Sequence, residues 1–174
     1  ILIGVILFVP GLALILNRAT KWELFAQSCV TLGALGIAGG AIVLSDNSPL
    51  VGVGLTLGLG AAAFLARSGL LAALAILQLS YVLGTGTAYW HASYFFGVDR
   101  PAFTISMLIV VAVALFLVSR QLASAYERVA IIAARTAILM LNGAFLVGSL
   151  FGDTTLGSPA SWVSVALAVL LVVA

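Results

Sequence analysis

LVGVGLTLGLGAAAFLA from Leu50 to Ala66, the breaker Arg67-Ser68-Gly69, and LLAALAILQLSYVLGTGTA from Leu70 to Ala88 decide how this chain folds. Each run is apolar on every side of any helix it could form. Each also has roughly the 20 residues needed to cross about 30 Å of hydrocarbon. Strands of a membrane barrel would alternate apolar and polar residues over about 10 positions, and these runs do not.

The rest of the 174-residue chain reads the same way: 64% of it is apolar and only 7% is charged. Soluble domains run at roughly 45–50% apolar and about 25% charged. Seven Lys and Arg with five Asp and Glu cannot cover a water-facing surface of this size. The mean hydropathy of +1.31 agrees. One His and one Cys exclude disulfide scaffolds, Cys-rich zinc modules and c-type haem attachment. The small positive net charge is spread thinly over connections, so nucleic acid is not an expected partner.

Apolar runs of spanning character lie at Ile1–Leu16, Leu24–Leu44, Leu50–Ala66, Leu70–Ala88, Ala102–Ser119, Val129–Leu150 and Trp162–Ala174. The expectation is therefore an all-α, polytopic transmembrane helix bundle of about seven spans, one domain over residues 1–174. Because the chain starts and stops inside apolar runs, both ends read as truncated. A signal peptide is the alternative reading of the start, but a basic n-region and a small-residue cleavage site are missing. Lys and Arg set the expected orientation. The first, third and fifth connections carry Arg18, Lys21, Arg67, Arg120 and Arg128, whereas the second, fourth and sixth carry Arg100 alone. Odd connections are thus expected in the cytoplasm, with residue 1 outside and residue 174 inside. Trp22, the Tyr89–Phe96 aromatics and Trp162 fit headgroup-level positions, with Tyr89–Pro101 lying as an interfacial piece.

Small residues take over the work of apolar burial where the solvent is lipid. Gly36 and Gly40 in the second span, and Gly54 and Gly58 in the third, have small-xxx-small spacing and predict a hairpin with the glycine faces of the two spans in contact. Ala144, Gly148 and Gly152 repeat the pattern in the sixth span. The other reading of such glycines is a helix that unwinds along a substrate path.

Polar residues inside spans are candidates for function because they are costly there. Arg135, Asn142 and Ser149 recur at intervals close to two turns and share one face of the sixth span. Gln78, Tyr81 and Thr85 form a second stripe on the fourth. The two stripes are expected to face each other, either as interhelical hydrogen bonds fixing register or as a polar path. Arg135 also has a purely structural reading, with its long stem snorkelling to the interface. Asp46, His91, Asp99 and Asp153 fall on the expected outer side. Their spacing has no chelating pattern, so no metal is predicted, and a hydrated loop histidine is the plain reading of His91. Cys29 reads as an inert core thiol. No HExxH, GxSxG or P-loop occurs, and no motif implies a cofactor.

Three functions fit. The first is an accessory or structural subunit of a larger membrane assembly, partnered by lipid and by other subunits or its own copies. The second is a small-solute or lipid permease using the stripes of spans four and six. The third is a lipid-acting enzyme using His91 and the outer aspartates. The absence of catalytic spacing and of paired buried carboxylates favours the first.

Overall fold

A computed structural model describes residues 1–17, 20–45, 48–90, 93–98 and 100–151, with the backbone alone at 20, 86–90, 93–97 and 149–151. The described residues form a helix bundle of α1 (Leu2–Leu16), α2 (Glu23–Leu44), α3 (Pro49–Ala66), α4 (Gly69–Val82), α5 (Pro101–Ser119) and α6 (Ser124–Phe151). Thr20–Trp22 makes a single 3-10 turn before α2. Proline opens α3 and α5, where its missing N–H costs no intrahelical bond.

Four of these helices, α2, α3, α5 and α6, are long and apolar enough to cross a membrane. Their outer surfaces are largely apolar: Leu24 on α2 is 82% exposed and Leu50 on α3 84%. A water-soluble bundle would not leave such side chains uncovered in bulk. α1 and α4 are apolar but shorter, at 15 and 14 residues. At about 1.5 Å per residue, such helices fall short of the roughly 30 Å hydrocarbon core. The expectation of about seven spans is therefore met only at the coarser level of a membrane helix bundle, and Trp162–Ala174 lies outside the described residues.

The fourth apolar run departs from expectation. It does not continue as helix to Ala88 but stops at Val82, passes through Gly84 at φ 102°, and enters strand β1 (Thr85–Trp90). β1 pairs antiparallel with β2 (Ser93–Val98), with Thr85 opposite Val98 and Trp90 opposite Ser93. The left-handed φ at Gly84 is one that side chains resist, and it ends the helix. Beyond it, Thr, Tyr, Trp and Phe favour the extended chain. Within the Tyr89–Pro101 segment, Tyr89 and Trp90 thus end β1, Ser93–Val98 is β2, and Pro101 opens α5. Thr104 on α5 ties the hairpin's base to α4 by donating its hydroxyl to the Leu83 carbonyl oxygen at 2.8 Å.

Helices pack as sequential antiparallel pairs, α1 on α2, α3 on α4 and α5 on α6, with α4 also lying against α6. The core is built largely of alanine: Ala62, Ala63 and Ala66 on α3, Ala72 and Ala75 on α4, and Ala133, Ala137 and Ala144 on α6. Leu71, Leu108 and Leu141 are the larger side chains wholly enclosed. Small side chains let backbones approach closely, which is the source of packing attraction in lipid.

That pairing overturns the expected glycine contact between the second and third spans. Gly36 and Gly40 face α1: a Cβ on Gly36 would lie 3.3 Å from the Gly4 Cα, and one on Gly40 would lie 2.6 Å from Ile1 Cγ1. Gly54 and Gly58 face open space, with nothing within 4 Å of a Cβ. The physical reason is a missed competitor, because Gly4 and Gly11 give α1 the close-approach face that α2 takes up. Gly148 meets Pro101 at the start of α5, where an added Cβ would come within 2.9 Å of the proline Cβ.

Candidate functional site

The two polar stripes do not come together. On α6 the buried side runs through Ala130, Ala133, Ala134, Ala137, Leu141 and Ala144. At about 100° per residue, Arg135 and Asn142 lie roughly 160° and 140° around the helix from Ala137. Both are exposed there. Ser149 continues the same helix, at its end. On α4, Gln78 turns instead toward α3, with its Nε2 placed 3.8 Å from where a Gly52 Cβ would be. That nitrogen is buried and has no hydrogen-bond partner. Tyr81 is exposed and Thr85 is buried at the start of β1. The predicted face-to-face arrangement of Gln78 and Asn142 is thus corrected: α6 presents alanine inward, and Arg135 and Asn142 point away.

The outer cluster of Asp46, His91, Asp99 and Asp153 lies outside the described residues. Among the described residues no group of His, Cys, Asp and Glu could hold a metal ion. Cys29 is free and half-buried.

Sequence reading overlooked a cavity of about 680 Å³ at the end of the bundle where α1 finishes, α2 starts, α3 finishes and α6 starts. Its apolar wall is Leu14, Ile15, Leu16, Phe64, Leu65 and Ala66, and its polar wall is Glu23, Gln27, Arg67 and Tyr126. The volume falls within the roughly 300–1,000 Å³ of small-molecule sites. Glu23 and Gln27 are one turn apart on α2, so both point to the same side.

Arg67 is held there by backbone geometry. It caps α3 at φ 49° and ψ 37°, a left-handed conformation that costs a residue with a Cβ about 1–2 kcal/mol. The turn is a Schellman motif, in which Ser68 N–H donates to the Ala63 carbonyl and Arg67 N–H to that of Phe64. Glycine usually fills this position. Here the glycine of Arg67-Ser68-Gly69 stands two residues later, where the terminal methyl of Ile132 on α6 would have to shift to admit a Cβ. The left-handed position itself is held by arginine. The Arg67 guanidinium carbon sits 5.0 Å from the Tyr126 ring centroid, and Phe64 stacks on Tyr126 at 4.4 Å. Trp22, 58% exposed and edge-on to Phe25, marks the same end of the bundle. The signal that could have found this site was the convergence of odd connections in an up-and-down bundle, which gathers Glu23, Arg67 and Tyr126.

Compared with protein families, with curated proteins and with solved structures, the chain finds no match.

Proposed function

We propose that the chain is a non-catalytic subunit of a larger membrane assembly, docked through the outer face of α6. Asn142 carries this reading. It is exposed on a helix apolar enough to cross a membrane, among the exposed Ile138, Leu139 and Leu146. A long arginine stem can reach the headgroups, but an asparagine amide near the middle of a span cannot. In hydrocarbon such an amide is best satisfied by a neighbouring helix. Arg135, two turns away on the same side, favours a partner helix that offers a carboxylate or free carbonyl there.

The permease reading draws less support, because Gln78 faces α3 while Asn142 faces outward. The Lys and Arg distribution supports a cytoplasmic position for the cavity end, residue 1 outside, and a crossing pattern of about seven spans in which the short α1 and α4 cross by local thinning of the bilayer. A photo-reactive side chain at position 142, activated in the native membrane and followed by mass spectrometry, tests the proposal. An adduct to a different membrane protein is the expected result. Adducts to lipid alone, or to the chain's own 162–174 run, overturn it, and an adduct to a second copy replaces it with self-assembly.

A further inference from the structure

We propose that the cavity at the α1–α2–α3–α6 end is a binding site for one phospholipid with a phosphoethanolamine headgroup. This does not depend on the docking role of α6. The cavity has both halves of an amphiphile's complement: an apolar wall from Leu14 to Leu16 with Phe64 and Leu65, and a polar wall of Glu23, Gln27, Arg67 and Tyr126. Its position beside exposed Trp22 puts that polar wall at headgroup depth.

The charges select the headgroup. A guanidinium is the side chain best shaped to grip a phosphate through paired N–H donors. Sites for strongly anionic lipids gather several basic residues. Among the described residues that line this one, the charged groups are Glu23 and Arg67, one of each sign, which calls for a headgroup carrying both signs. The choice between a primary and a quaternary ammonium follows from Tyr126. Quaternary ammonium groups are recognised by free aromatic faces, but the Tyr126 ring is already engaged by the Phe64 stack and by Arg67 itself. The polar groups left for the amine are the Glu23 carboxylate and the Gln27 side-chain amide, whose oxygens can accept from an ammonium with three N–H donors and not from a trimethylated one. The strained backbone at Arg67 fits the same assignment, since left-handed non-glycine residues held by their surroundings cluster at ligand sites.

The test is lipid retention by the full chain, delipidated in mild detergent and re-exposed to phosphatidylethanolamine, phosphatidylcholine or phosphatidylglycerol, read by native mass spectrometry. One phosphatidylethanolamine per chain is expected, retained over the other two lipids. Glu23→Gln and Arg67→Gln should each weaken it by about tenfold or more, the usual scale for losing a hydrogen bond to a charged group. Arg67→Gly separates binding from folding, because glycine relaxes the left-handed turn: its thermal stability should hold or rise while lipid retention falls. Equal retention of phosphatidylcholine, or preference for phosphatidylglycerol, overturns the headgroup assignment. Undiminished retention by Arg67→Gly removes the arginine from the site. Free phosphoethanolamine or inorganic phosphate that binds as well as the lipid would make the site one for a soluble anion and overturn the lipid assignment.

Discussion

Gly4 of α1 and Gly33 of α2 meet backbone to backbone: a Cβ on Gly33 would lie 2.7 Å from the Gly4 carbonyl oxygen and 2.6 Å from the Phe8 amide nitrogen. These obstacles are main-chain atoms, so only a shift of the whole helix relieves them. Gly33→Ala should therefore lower stability in detergent by about 1–3 kcal/mol, the ordinary cost of overpacking. Gly54→Ala, which meets nothing within 4 Å, should leave stability unchanged or raise it slightly. Parallel unfolding titrations of the two variants check the contrast, and equal effects would refute the α1–α2 contact.

Thr104, wholly buried, donates to the Leu83 carbonyl at the corner where α4 gives way to the hairpin. Thr104→Val keeps the shape and removes the donor. Interhelical hydrogen bonds within membranes average about 0.6 kcal/mol and reach about 1.7, so a loss in that interval is expected by the same titration. A larger loss would mean that the hairpin itself comes away.

Gln78 Nε2 is buried without a hydrogen-bond partner beside Gly52. An unsatisfied buried donor costs about 1–3 kcal/mol, and replacing it by an apolar group of like size recovers part of that. Gln78→Leu should stabilise the protein by about 1 kcal/mol. Destabilisation would show that the amide is used, and would return it to the list of functional candidates.

Topology is checked by labelling single cysteines in a Cys29→Ala background. Arg67→Cys and Arg120→Cys should react with an impermeant reagent from the cytoplasmic side, and Asp46→Cys and Asp99→Cys from the other. Reaction of all four from one side would break the alternating arrangement.

Helix existence was legible because the apolar runs and their breakers coincide. The expected span Leu50–Ala66 is helix Pro49–Ala66, and Ala102–Ser119 is Pro101–Ser119. Helix partners were less legible. Small residues mark close approach but not the neighbour, and the α2 glycines meet Gly4 and Ile1 rather than Gly54 and Gly58. Alanine hid the core for a related reason: it has high helix propensity everywhere, so the inward line through Ala133 and Ala137 looks like any other apolar stretch. The hairpin was masked by reading Thr85–Ala88 as apolar length, although Gly84 and the aromatic residues beyond it favour an extended chain. The cavity could not be read from local pattern, because Glu23, Arg67 and Tyr126 lie at the ends of three helices that only the folded bundle brings together.

The alanine core also fixes the direction in which this protein can be damaged. A core of leucines fails by losing methyl groups and leaving holes. At Ala63, Ala72 or Ala137 a single methyl is all there is to remove, and almost every exchange adds atoms instead. Sequence drift at these positions therefore pushes neighbouring helices apart rather than hollowing them out. Tolerance runs one way, toward glycine, and the intolerant direction is growth.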